Sequence, residues 1–379
     1  MGEIYLDNSA TTRVCREAAD KVMEIMTETY GNPSSLHTKG FQAERELTAA
    51  RETVAGMLGV LPEELYFTSG GTESNNLALF GAAHAQRRRG NHIVTTAMEH
   101  SSIMNTMKQL EKEGYSVTYL KPDKEGKIRP EQIFEAVTPD TILVSMMYVN
   151  NEVGTILPLE AVPQAIADAN APALFHADAV QAFGKIPVKP KKLKIDLLSV
   201  SAHKIHGPKG VGAFFLRKGV RIVPRAYGGG QEKDIRPGTE AMPLIAGLGA
   251  AVKALPDTAE EYAAMKKLST YCRKRLSEID GVTLNSPEDS LPYIVNFSAG
   301  NVRAETMLHF LSDKEIYVSS GSACSKGKES RILTAMGLPK SRISSALRIS
   351  FSRYSTAEDV DGLVDALKEG LDSLTSKPL

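Results

Sequence analysis

Apolar residues return along this chain at two spacings, every three to four positions in some stretches and in short unbroken runs in others, and the two kinds alternate. Positions 13–29 put Val14, Ala18, Val22, Ile25 and Met26 on one helical face, and positions 40–58 do the same with Leu47, Val54 and Leu58. A strand is expected at 64–68. Strand signals at 93–96, 117–120, 141–147, 173–178 and 195–201 then alternate with helical patterns at 101–113, 130–137 and 159–169. Such alternation predicts an α/β architecture, a mainly parallel sheet covered by helices on both faces. The run at 212–216 follows too closely for a helical crossover, so an antiparallel partner is expected there. An apolar helix at 241–254 precedes a break at 256–258. Beyond it the pattern predicts a helix at 259–278, strands near 281–285 and 292–298, a helix at 304–312 and a short strand at 315–318. A loop, a strand at 346–351 and a helix at 357–373 complete it. The chain thus divides into a large domain, 13–256, and a smaller α+β domain, 257–379 joined by 1–12.

Polar and glycine-rich stretches mark where chemistry is expected. Residues 69–76, Ser-Gly-Gly-Thr-Glu-Ser-Asn-Asn, turn from a strand into a helix expected over 77–88. A glycine turn ahead of a helix gathers unpaired N–H groups at the positive end of the dipole, which suits an anion. The terminus itself contributes only ~0.3–2 kcal/mol, so a firmly held phosphate needs further donors. Ser201 and His203 are candidates, while a plain N-cap by Thr72 is an equal alternative locally. Residues 228–239 form a second glycine-rich loop, irregular and rich in donors.

The strand at 195–201 delivers Ser201, His203 and Lys204 at its C-terminal end, where open α/β sheets bind ligands. A lysine among poorly hydrated neighbours loses part of its preference for the charged form, and a neutral amine attacks carbonyl groups. The competing reading is an ordinary surface lysine in a turn. Asp178 ends another strand, where it is either a helix N-cap or the partner of a positive charge on a bound ring. His100 follows the strand at 93–96 and is otherwise a capping or core histidine.

Composition narrows the class. The 379 residues suit about two domains of roughly 150 residues each. With 45 basic and 45 acidic residues, no global field favours nucleic acid or an anionic membrane. Residues 1–7 carry no targeting pattern, and no run approaches the ~18 apolar residues of a membrane span. The cysteines, Cys15, Cys272 and Cys324, are odd in number, widely spaced and without a Cys-x-x-Cys pair. A reducing cytoplasm is therefore expected, with neither a disulfide framework nor a cysteine-rich metal site.

Seven motifs in one order carry a resemblance. They are Ser-Gly-Gly-Thr-Glu-Ser-Asn-Asn at 69–76, Glu-His-Ser-Ser at 99–102, Val-Asn-Asn-Glu-Val-Gly at 149–154 and Asp-Ala-Val-Gln at 178–181. Ser-Ala-His-Lys at 201–204, Arg-Pro-Gly-Thr-Glu at 236–240 and Ser-Ser-Gly-Ser-Ala-Cys at 319–324 complete them. Together they resemble the pyridoxal-phosphate-dependent cysteine desulfurases of the NifS/IscS type, over nearly the whole chain. The resemblance implies a fold-type-I transferase in which Lys204 binds pyridoxal 5'-phosphate covalently and Asp178 pairs with its ring nitrogen. It implies that Gln181 bonds the ring oxygen and that His100 lies against the ring and moves protons. Gly71, Thr72, Ser201 and His203 would hold the phosphate, with Thr239 reaching in from the second subunit of a homodimer. L-Cysteine would be clamped through its carboxylate by Arg348 and contacted by Asn151. Cys324 would take the sulfur as a persulfide, releasing alanine. For Arg348 a structural ion pair is the competing reading, and Cys15 and Cys272 read as inert core residues. The segment at 325–330 is shorter than in housekeeping members, which leaves the acceptor open among an iron–sulfur scaffold, a tRNA-thiolation enzyme and another thiol carrier. An aminotransferase, a selenocysteine lyase and a non-catalytic module on the same scaffold are the alternatives.

Overall fold

The computed structural model describes residues 2–320 and 329–375. Its strands are β1 (Ile4–Tyr5), β2 (Leu65–Thr68), β3 (His92–Thr96), β4 (Ser116–Leu120), β5 (Thr141–Met147) and β6 (Leu174–Asp178). They continue with β7 (Leu197–Ser201), β8 (Gly212–Leu216), β9 (Val282–Leu284), β10 (Ile294–Ala299), β11 (Ile316–Tyr317) and β12 (Ala346–Ser350). The helices are α1 (Arg16–Thr27), α2 (Thr38–Leu58), α3 (Gly71–Gln86), α4 (Ser101–Lys112), α5 (Pro130–Ala136) and α6 (Val162–Asp168). After them come α7 (Met242–Lys253), α8 (Thr258–Ser277), α9 (Ala304–Ser312), α10 (Arg331–Ala335), α11 (Lys340–Ser344) and α12 (Ala357–Thr375).

Seven strands form the main sheet in the order β2-β8-β7-β6-β5-β3-β4. Only β8 runs against the others, pairing antiparallel with both β2 and β7. Strands β5, β6 and β7 are buried at every position, because helices cover both faces and an unbroken apolar run is what such a site requires. A separate antiparallel sheet, β12-β10-β9, carries the C-terminal part. The N-terminal strand β1 pairs with β11, which takes residues 4–5 away from the large sheet and into the C-terminal part. Asp257 starts α8 by accepting from the backbone of Ala259 and Glu260, so the expected break falls at a capped helix start.

Three expectations need correction. Helix α3 begins at Gly71 rather than at 77, because Gly70 alone makes the turn. Residues 72–76 read as loop because they are polar, yet Ser74 and Asn75 are buried and spend their polarity on internal bonds. Met26 is 59% exposed, since the face of α1 that meets α7 is narrower than its apolar stripe. The stretch expected as one loop before β12 contains α10 and α11.

Candidate functional site

Strands β6 and β7 end side by side, with Asp178 paired to Ser199, and the start of α3 packs beside them. Gly70 is the N-cap of α3 with φ 147°, a left-handed backbone that a side chain would strain. A Cβ on Gly71 would lie 2.8 Å from Val180 and 3.9 Å from Ser201 Cβ. The two glycines let the backbone N–H groups of the first helical turn stand close to Ser201, and those groups have no acceptor within the helix. Thr72 lies inside that turn and does not cap it, so its expected capping role is replaced by Gly70.

From this turn a bonded chain crosses the site. Asn75 Nδ2 donates to Asp178 Oδ2 (2.8 Å) and Ser102 Oγ (2.9 Å). Val180 N–H donates to Asp178 Oδ1 (3.0 Å), so the carboxylate is held from both sides, and no helix follows for it to cap. His100 is the N-cap of α4: its Nδ1 accepts from the backbone of Ser102 (3.1 Å) and sits 2.8 Å from Ser102 Oγ. Burial lowers its pKa, Asp178 opposes that, and Lys204 and Arg331 add to it. Because Nδ1 accepts the Ser102 N–H, it carries no proton, which leaves the ring proton on Nε2. Next to it Glu99 is fully buried, accepting from Thr96 Oγ1 (2.7 Å) and Met147 N (3.0 Å). Burial raises its carboxyl to about 8.

A second bonded chain starts at Lys204, in the single turn after β7. Its Nζ donates to the carbonyls of Ser9 and Ala10, the latter at 2.8 Å. Gln181 Nε2 donates to the same Ser9 carbonyl (3.0 Å). His203 Nδ1 lies 3.2 Å from Thr11 Oγ1, and burial, with Lys204, Lys209 and Lys185, lowers its pKa to about 4. At neutral pH the ring is therefore an uncharged hydrogen-bonding group.

Arg348, 3% exposed on β12, donates to Asp7 Oδ1 (2.7 Å) and to the carbonyl of Asn151 (2.8 Å). The structural ion pair is thus present. Arg348 Nε is buried without a partner among the described residues. Ser319 pairs with the Arg348 backbone through two hydrogen bonds, and Ser330 Oγ donates to Glu152 Oε2, one residue past Asn151. Both described ends of the cysteine segment are therefore tied beside Arg348 and Asn151. Cys324 itself lies outside the described residues. Thr239 is exposed on its loop. Cys15 and Cys272 are buried, and burial raises the Cys272 thiol to about 12, in keeping with inert core residues.

Sequence reasoning missed Asn75, Ser9 and Glu99. Asn75 falls in a quoted motif one helical turn after Gly71, which was its available signal. Ser9 acts through its carbonyl, so its side-chain type carries none.

The Aminotransferase class-V family model matches residues 4–363. A cysteine desulfurase IscS of Methanosarcina thermophila is 43% identical over 97% of this chain and 91% of its own. The solved structure of a NifS-like protein superposes with a TM-score of 0.93 at 40% identity, covering 98% of this chain and all of that one. Another, described as SspA in complex with cysteine, gives 0.82 at 34% identity over 94% of this chain and all of its own. With this agreement over almost every residue and in the fold, the chain belongs to the class-V aminotransferase family, among its pyridoxal-phosphate-dependent cysteine desulfurases.

Proposed function

We propose that this cysteine desulfurase works through Lys204, Asp178, His100 and Cys324, passing sulfur from L-cysteine to Cys324 and on to an acceptor protein. The observation that carries the assignment is the pair of bonded chains His100–Ser102–Asn75–Asp178 and Lys204–Ser9–Gln181 at the ends of adjacent strands. The residues fit the cofactor: a glycine-lined helix start for its phosphate, a buried carboxylate held from two sides, and an amine within a closed strand-end turn. When bound, pyridoxal phosphate supplies an aldehyde and an electron-withdrawing ring.

Lys204 would hold it covalently, and Asp178 would favour a proton on the ring nitrogen. Gln181 would donate to the ring oxygen, while Gly71, Thr72, Ser201 and His203 would hold the phosphate. Neutral His100, its Nδ1 occupied by Ser102, presents Nε2–H for proton exchange. The unpartnered Arg348 Nε, together with Asn151, would receive the substrate carboxylate, since a guanidinium donates several parallel bonds. Cys324 would take the sulfur as a persulfide while alanine leaves.

The same reading places the cofactor site in residues 13–256 and the cysteine segment in 257–379 with 1–12. It makes the protein a homodimer in which the exposed Thr239 reaches the phosphate of the neighbouring subunit's site. A cytoplasmic location suits the free thiols of Cys15 and Cys272. The sulfur would go to iron–sulfur assembly or tRNA thiolation. The test is borohydride treatment of protein loaded with pyridoxal phosphate, followed by peptide mass spectrometry. Label fixed on Lys204, and one added sulfur on Cys324 after incubation with cysteine, are expected. Label elsewhere, or sulfur on Cys15 or Cys272, refutes the assignment.

A further inference from the structure

Lys185 is 7% exposed and has none of the roles assigned above. Its Nζ donates to Gln181 Oε1 (3.1 Å) and stands 5.6 Å from the centroid of the Tyr293 ring. The Lys185 nitrogen donates N–H to the amide oxygen whether charged or neutral, and an amide has a donor at one end and an acceptor at the other. This bond at one end of the amide and the acceptor-only Ser9 carbonyl at the other together set which way Gln181 points: oxygen toward Lys185, Nε2 toward the carbonyl that also accepts from Lys204. The preceding residue anchors it further. Gly184 has φ 79°, and a Cβ there would lie 2.7 Å from Ile205, the residue after Lys204.

The surroundings are mixed in charge. Lys204 and Arg348 are close enough to repel Lys185, whereas Glu261 on α8 attracts it. His206 and Tyr293 line the same narrow cavity, which Lys185 and Lys204 share. Burial, with Lys204 and Arg348, lowers the Lys185 pKa to about 7 against the pull of Glu261.

We infer that Lys185 is a positioning residue: it locks the Gln181 amide so that only its N–H end faces the Lys204 side of the site. The inference rests on the cofactor reading above. A fixed donor there favours the anionic ring oxygen, which lowers the pH at which the loaded protein's visible absorption band titrates.

The test is that titration, on protein loaded with pyridoxal phosphate, for the parent, Lys185→Met, Lys185→Arg and Gln181→Leu. The Met side chain keeps the volume, so the core is retained. Lys185→Met is expected to raise the midpoint by about one unit, a ~10-fold gain in proton affinity. Lys185→Arg, which keeps donor and charge, is expected to restore it, and in a Gln181→Leu background the Met effect is expected to shrink by half or more. In cofactor-free protein, the Gln181 side-chain amide signals in 15N NMR, identified by their loss in Gln181→Leu, are expected to move in Lys185→Met and return in Lys185→Arg. An unmoved midpoint with unmoved amide signals overturns the inference, even if the melting temperature falls. A shift of equal size without Gln181 also overturns it, by showing that Lys185 acts through charge alone. Failure of the parent to fix cofactor on Lys204 would defeat the cofactor reading itself, a separate outcome.

Discussion

Asn75 is 1% exposed, and its Nδ2 ties Asp178 to Ser102, so Asn75→Ala removes two internal bonds from a place water does not readily refill. A hydrogen bond to a charged group contributes about 1.5–3 kcal/mol and a neutral one about 0.5–1.5 kcal/mol. The expected loss of stability is therefore about 2–4.5 kcal/mol, larger than most single substitutions cause. Among the described residues the Asp178 carboxylate then keeps the bond from Val180 alone, so it loses its fixed direction. If about 1.4 kcal/mol of that loss falls on the cofactor, its affinity drops ~10-fold. Denaturant titration of cofactor-free protein measures the first quantity, and equilibrium dialysis of pyridoxal phosphate the second. Asn75→Asp supplies the control, because two adjacent carboxylates resist joint ionisation, and a proton gained on acidification replaces the missing donor. Its cofactor binding is expected to improve as pH falls. A Asn75→Ala protein within ~0.5 kcal/mol of the parent and with unchanged cofactor affinity would refute the claim that this bond orients Asp178.

Three further outcomes are expected. Gly71→Ala brings a methyl to 2.8 Å from Val180, overpacking of a kind that costs about 1–3 kcal/mol, and Val180→Ala in the same chain should recover stability and cofactor retention together. Glu99, with a folded pKa of about 8 above its ordinary 4.5, binds more protons folded than unfolded between those values, so its contribution falls as pH rises through that window. Denaturation across that range should show Glu99→Gln gaining on the parent as pH rises, and parallel curves would contradict this. Cys324→Ser is expected to retain the visible absorption and lose both sulfide release and the added sulfur seen by mass spectrometry.

Element type was readable from residues because it follows local rules. Unbroken apolar runs marked β5 to β7, and three-to-four spacing marked α2 and α4, since burial on both faces or along one stripe leaves those patterns in any order of neighbours. Lys204, Asp178 and His100 were also readable, each standing just past an apolar run, and seven ordered motifs added the family. The polar start of α3 was not, because Asn75 and Ser74 look like loop residues until their partners 27 to 139 positions away are known. The same holds for Ser9, whose contribution is a carbonyl brought to Lys204 across 195 positions, and for the direction of the Gln181 amide. Hydrophobic rhythm is a one-dimensional record of burial, whereas hydrogen-bond direction depends on which distant atoms the packed strands bring within 3 Å.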